Sequence, residues 1–291
     1  MSESCRTNLI SGLGAIAGQY DALICDVWGV LHNGYEPFPG TVEALRNFRK
    51  AHGPVILLTN APRPALDVKF QFDRIGVPHD CYDVLVTSGE GARAELARRS
   101  AVSHPLKFFD LGPERDRAVQ DGLDVVRTGA GDAEVVLCTG LFDDETEGPE
   151  DYRDLLHEFR ARNLELLCAN PDIVVRRGDK LVYCAGAIAR AYEELGGTVV
   201  YFGKPYPPVF ELALVRAGEI GSVQRPLVVG DGLGTDIKGA NVMGWDALFV
   251  GSGVYGIELE GLAPPDAAAK LAGLFEENGV CAQWSISELS W

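Results

Sequence analysis

Short aliphatic and β-branched runs alternate with stretches of helical period along most of the chain. Ala22–Cys25 is a continuous apolar run of the kind found in strands buried on both faces, and Val55–Leu58 and Val84–Val86 repeat it. Between them, Thr41–Lys50 and Leu66–Ile75 carry apolar residues at helical spacing. The first starts after Pro39-Gly40 and the second is stopped by Gly76 and Pro78. Glu90–Arg99 is the next predicted helix. Toward the other end, Val199–Phe202, Leu227–Val229 and Ala247–Val250 read as strands, with helices over Pro208–Ala217 and Asp236–Met243. Strand–helix alternation of this kind predicts an α/β fold with a parallel sheet covered by helices on both faces.

The middle of the chain has an αβ pattern of its own. Lys107–Phe109, Val135–Cys138 and Leu164–Leu167 read as strands, and Tyr152–Arg162 and Ala187–Leu195 as helices. Thr139–Glu150, rich in acidic residues and glycine, reads as an irregular loop. At 291 residues two domains are expected. The pattern places a core at about 1–87 and 200–291, with a second domain inserted at about 88–199. Pro265–Glu277 reads as a peripheral helix, and nothing is assigned to the residues beyond it.

Composition narrows the class. The chain is 46% hydrophobic, yet its longest apolar runs are too short to span a bilayer. Met1–Gln19 lacks the basic-then-apolar layout of a signal peptide, so a cytoplasmic location is expected. Seven cysteines (Cys5, Cys25, Cys81, Cys138, Cys168, Cys184, Cys281) form no CxxC pair, which argues against a zinc ribbon and a disulfide framework. The net charge of −16 and the absence of a basic stripe exclude a nucleic-acid surface. Such acidity repels anionic ligands, so a phosphate-bearing substrate would need a local positive trap.

Four features lie at the C-terminal ends of predicted strands, the edge where open α/β sheets bind ligands. In Ile24-Cys25-Asp26-Val27-Trp28-Gly29, an aspartate leaves an apolar strand and Gly29 permits a tight loop, so Asp26 is placed as a nucleophile or metal ligand. In Leu57-Leu58-Thr59-Asn60, the Thr59 hydroxyl and the following backbone suit a phosphate oxygen, although a helix N-cap fits the same residues. In Phe202-Gly203-Lys204-Pro205, Lys204 is a compact cation held in extended backbone by the proline. In Val229-Gly230-Asp231-Gly232-Leu233-Gly234-Thr235-Asp236, two carboxylates at a strand-to-helix turn suit a hard divalent cation. A GxGxxG match at Gly251–Gly256 has no following strand and reads as a glycine-rich loop.

Taken as an ordered set, Asp26, Thr59, Lys204 and the Asp231/Asp236 pair resemble the four motifs of the haloacid dehalogenase superfamily. The insertion between the second and third motifs is similar to that of the C2-capped class IIA members. Val86-Thr87-Ser88, Ala169-Asn170-Pro171-Asp172, Gly203-Lys204-Pro205, Thr235-Asp236-Ile237 and Gly239-Ala240 extend the resemblance over roughly Asp21 to Val254. It implies a doubly wound, Rossmann-like parallel sheet with an inserted α/β C2-type cap. It also implies a hydrolase, most simply a Mg²⁺-dependent phosphatase acting on a small phosphorylated metabolite through an aspartyl-phosphate on Asp26. Mg²⁺ would be held by Asp26, the Trp28 backbone carbonyl and Asp231, with Asp236 assisting through water. Thr59, Asn60 and Lys204 would bind the phosphoryl group. Asp172 is placed toward the boundary of core and cap. Neither nucleic acid nor membrane is an expected partner, and a homo-oligomer is left open.

One departure matters. Phosphatases of this family carry a second aspartate two residues after the nucleophile, the acid that protonates the leaving alkoxide. Here Trp28 stands at that place. The alternatives are a dehalogenase-like hydrolase and a catalytically impaired phospho-ligand-binding protein. His32, further along the same loop, is a candidate substitute acid or a structural histidine. Arg176, Arg177 and Lys180 in the insertion either meet an anionic tail or form a solvated turn.

Overall fold

In the computed structural model, residues 7–177, 180–256 and 264–291 are described. The expected apolar runs form strands. In chain order these are β1 (Asn8–Leu9), β2 (Ala22–Cys25), β3 (Val55–Thr59), β4 (Val84–Thr87), β5 (Leu106–Leu111), β6 (Val125–Arg127) and β7 (Val135–Cys138). They continue with β8 (Glu165–Cys168), β9 (Val174–Arg177), β10 (Lys180–Tyr183), β11 (Thr198–Tyr201), β12 (Pro226–Gly230), β13 (Asp246–Val250) and β14 (Trp284–Ile286). The α-helices are α1 (Pro39–Ala51), α2 (Ala65–Ile75), α3 (Ser88–Ser100), α4 (Arg153–Ala161), α5 (Ala185–Glu194), α6 (Pro207–Gly218), α7 (Lys238–Met243) and α8 (Pro264–Asn278).

The chain divides into two compact units. The first comprises Met1–Thr59, Gln71–Val86 and Phe210–Trp291, and the second Asn60–Phe70 and Thr87–Val209. A seven-stranded sheet of order β1-β14-β13-β12-β2-β3-β4 organises the first unit. The pairings from β1 through to β3 are parallel. Strands β2, β3 and β12 are buried at every residue, which is why their sequences are uninterruptedly apolar rather than alternating. The winding runs outward from β2 to β3 and β4 on one side, and from β12 to β13 and β14 on the other. The order therefore reverses between β2 and β12, which makes their C-terminal ends the topological switch point of a doubly wound sheet.

A five-stranded parallel sheet of order β11-β8-β7-β5-β6 organises the second unit. Side-chain alternation along it builds two cores. Val136, Cys138, Leu166 and Cys168 pack with Leu156, Phe159, Ile188 and Tyr192, from α4 and α5. Phe108, Val135, Leu137 and Leu167 pack with Ala92 and Leu96 of α3. Helix α3 starts with a capping box, Thr87 accepting from the Glu90 N–H while Glu90 reaches back to the Thr87 N–H. Such a cap contributes about 1 kcal/mol. An antiparallel hairpin, β9–β10, completes the unit.

Several elements depart from the sequence expectation. β11 pairs with β8 and so joins the five-stranded sheet instead of the C-terminal strand set with which its sequence was grouped. The C-terminal residues, unassigned from sequence, supply β14, which pairs with both β13 and β1. The expected helix Asp236–Met243 begins as one π turn, Leu233–Ile237, before α7. Cys25, Cys81, Cys138, Cys168 and Cys184 are buried thiols outside any disulfide, as small hydrophobes should be. Cys281, by contrast, is disulfide-bonded, against the expectation of a chain without bridges. Cys5 lies outside the described residues. Among the described residues no helix is long and apolar enough to cross a membrane.

Candidate active site

The site in the first unit is built on adjacent strand ends. Cys25 of β2 lies opposite Val229 of β12, and the Asp26 N–H continues the ladder by donating to the Val229 carbonyl at 2.8 Å. Asp26 therefore leaves β2 beside the point where Asp231 leaves β12. Neighbouring strands lie about 4.8 Å apart, so two such carboxylates come within reach of one ion. Asp26, Asp231 and Asp236 each offer a carboxylate oxygen within 4.8 Å of the others, and all three side chains are buried.

Each carboxylate is oriented by backbone. Asp26 Oδ1 accepts from the Val27 N–H at 2.7 Å. Asp236 Oδ2 accepts from the Gly232 N–H at 3.1 Å and from the Thr235 hydroxyl at 3.3 Å. Asp231 Oδ2 accepts from the Val254 N–H at 2.8 Å. The loop carrying Val254 is the glycine-rich segment whose GxGxxG match has no dinucleotide role. Its Gly253 lies so close that a Cβ there would fall on the Asp231 carboxylate. The signal that identifies this loop is the need for a residue without a side chain beside a buried carboxylate, which single-sequence spacing does not reveal. Gly29, expected to permit a tight loop, adopts φ +85°.

Three buried carboxylates packed this closely repel one another and require a counter-charge. The all-oxygen donor set fits a hard divalent cation such as Mg²⁺ or Ca²⁺ better than a soft metal.

Thr59 is the last residue of β3 and is buried, with α2 beginning only at Ala65; it is therefore not the N-cap of that helix. Trp28 stands edge-on to His32, with ring centroids 5.3 Å apart, and His32 in turn stands edge-on to Phe72 at 5.8 Å. His32 is 2% exposed, and its Nδ1 accepts from the Gly34 N–H at 3.0 Å. Burial holds its pKa down to about 4. Its burial and the Gly34 contact favour the structural role over that of a substitute acid.

In the second unit, Lys204 is 2% exposed, and its backbone is held by the side chain of Asn60. Asp172 accepts from the Asn60 amide at 2.9 Å. Lys180 is exposed and lies 3.5 Å from Glu145, as in a solvated turn. The side chains of Arg176 and Arg177 lie outside the described residues.

A doubly wound sheet whose switch point carries clustered carboxylates defines an α/β protein with a candidate cation site at its ligand-binding edge. Residues 23–125 match the family model of haloacid dehalogenase-like hydrolases, and residues 201–273 a second model described as HAD-hydrolase-like. A haloacid dehalogenase-like hydrolase from Brucella suis is 41% identical in sequence. Its structure superposes with a TM-score of 0.82, over 96% of this chain and 99% of that one. The chain belongs to the haloacid dehalogenase-like hydrolases. It is also 29% identical over 242 residues to D-glycerol 3-phosphate phosphatase of Mycobacterium tuberculosis, covering 82% of this chain but 65% of that relative's length. A glycerol phosphate phosphatase structure from Mycobacterium tuberculosis in complex with magnesium is 25% identical, with a TM-score of 0.62 over 85% of this chain and 71% of that one.

Proposed function

We propose that the protein is a Mg²⁺-dependent phosphatase acting on a small phosphorylated metabolite, with Asp26 as nucleophile. The observation that carries this reading is the buried cluster of Asp26, Asp231 and Asp236 at the switch point. The likeness to a glycerol phosphate phosphatase from Mycobacterium tuberculosis, whose structure has been solved with magnesium, supports it.

In this reading a divalent cation would be held by Asp26, the Trp28 carbonyl and Asp231, with Asp236 in support. When bound it neutralises charge that the acidic chain would otherwise turn against a phosphate. Asp26 attacks phosphorus, the P–O bond to the leaving group breaks, and water then releases phosphate from the aspartyl-phosphate. Thr59 donates its hydroxyl to a phosphoryl oxygen, and Lys204 neutralises the transferring group. In domain terms the first unit serves as the core and the second as the inserted cap, with β11 on the cap side of the boundary expected at about 200. The expected location is cytoplasmic, and a homo-oligomer is compatible with this assignment.

Trp28 shapes the substrate preference. With a tryptophan in place of the acid and His32 buried, this loop presents neither the usual carboxylic acid nor an exposed imidazole to a departing alkoxide. Substrates whose leaving groups depart unprotonated, aryl and acyl phosphates, are therefore favoured. A screen of chemically diverse phosphate monoesters, with and without Mg²⁺, tests the assignment. Mg²⁺-dependent phosphate release is expected, fastest for aryl and acyl esters. Tight binding of phospho-ligands without turnover would instead favour the idle binding protein, and chloride or fluoride release from haloacids would favour the dehalogenase.

A further inference from the structure

An asparagine side chain offers two N–H donors and one carbonyl oxygen that accepts two hydrogen bonds. In Asn60 every one of these positions is occupied by protein. Oδ1 accepts from the Lys204 backbone N–H at 2.7 Å and from the Ser88 hydroxyl at 3.2 Å. Nδ2 donates to the Lys204 carbonyl at 3.1 Å and to Asp172 Oδ1 at 2.9 Å. The amide orientation is fixed by its partners, since a backbone N–H can only donate and a carbonyl can only accept. Asn60 is 5% exposed and Ser88 is fully buried, so water does not compete for these bonds.

The arrangement grips one residue from both sides. The side-chain amide pairs with the N–H and C=O of Lys204 much as a neighbouring strand would. Gly203, at φ +126°, lets the chain come this close: a Cβ there would lie 2.6 Å from Asn60 Oδ1 and would strike the Ser88 hydroxyl.

We infer that Asn60 is a positioning residue whose side chain fixes Lys204 through both of its backbone groups, and that this side chain is not a ligand of the substrate. This rests on the proposed role of Lys204 as the cation on the transferring phosphoryl group. A lysine stem has four rotatable bonds, so the reach of its ammonium is set only if the backbone beneath it is rigid. A displacement of about 1 Å at such a group can cost ~10²-fold in rate.

A double-mutant cycle in kcat/KM, with Mg²⁺ and a reactive aryl phosphate, tests the inference. Lys204→Ala should lose ~10²–10³-fold, and Asn60→Ala ~10–100-fold in the otherwise native protein. In the Lys204→Ala background, Asn60→Ala should cost less than ~3-fold, because the group it positions is gone. Mg²⁺ affinity should stay within ~2-fold, since the carboxylate cluster is held by other bonds. An equal loss in both backgrounds, the result for a substrate ligand or for general destabilisation, would overturn the inference. Activity unharmed by Lys204→Ala would overturn the role of the lysine and the inference with it, an outcome distinct from additivity. If Asn60→Ala does not fold, Asn60→Ser serves in the same cycle, because its short hydroxyl cannot span both Lys204 groups; the same non-additive pattern is expected and additivity again overturns it.

Discussion

At the scale of single residues, Trp28 and His32 carry most of what is particular to this chain. His32 is folded in its neutral form, with its pKa near 4 against 6.5 when exposed. Between those values the unfolded chain binds more protons than the folded one, so stability rises with pH across the window and is lost as pH falls through it. From pH 7 to pH 5 this group should remove about 2 kcal/mol, and roughly 3 kcal/mol by pH 4. Denaturant unfolding of wild type and His32→Gln at both pH values checks this: the part of the pH dependence due to His32 should disappear in the variant. Catalysis should show the other side of the same residue. A leaving-group series on wild type is expected to slope steeply, favouring aryl over alkyl phosphates, and to flatten in Trp28→Asp, which restores a carboxyl group at the acid position. A flat wild-type series that survives His32→Gln would mean that an acid from elsewhere acts. The sequence showed that the usual acid is missing. It could not show which role His32 plays, because that depends on the Gly34 N–H meeting Nδ1 and on burial against Phe72.

Among elements, the strand-to-helix turns decide how the proposed metal ligands would behave. Asp231 follows β12 directly and is gripped by the Gly253 loop, whereas Asp236 sits in the π turn and holds the Gly232 N–H. Asp231→Ala should therefore weaken Mg²⁺ binding more than Asp236→Ala, which acts largely through support. Gly253→Ala should weaken it by ~10–100-fold, as loss of a supporting contact does, without unfolding the protein. Titration calorimetry with Mg²⁺ ranks the three; an unaltered affinity in Gly253→Ala would show that the loop does not hold the carboxylate. The long buried strands and their helices were legible because apolar runs and capped helical periods are local signals. β1, β14 and the β9–β10 hairpin were not. β1 and β14 are two or three residues long, and the hairpin alternates around charged residues, so each becomes a strand only through the partner it meets. β11 was legible as a strand but not as a member of the second sheet, since alternation gives an element's type and not its neighbour.

For the whole molecule, what mattered was order along the chain. Asp26, Thr59 and Asp231 are far apart in sequence, yet the two strand sets wind outward from β2 and β12, which puts Asp26 and Asp231 side by side at the reversal. The doubly wound core was legible from that order together with the family resemblance. The clamp on Lys204 was not, because Asn60 and Lys204 stand 144 positions apart and no local pattern pairs them. The acidity of the chain, −16 in net charge, makes the positive trap at this site a requirement for any phosphate ester. The most direct test of Asp26 as nucleophile is rapid acid quench during turnover of the best substrate, followed by mass analysis of the peptide bearing Asp26, on wild type and Asp26→Asn. Wild type should carry one phosphoryl group on that peptide. Asp26→Asn should carry none and should lose at least ~10³-fold in kcat while keeping its fold. An Asp26→Asn protein that retained more than about a few per cent of turnover, far above what loss of a nucleophile leaves, would contradict the assignment.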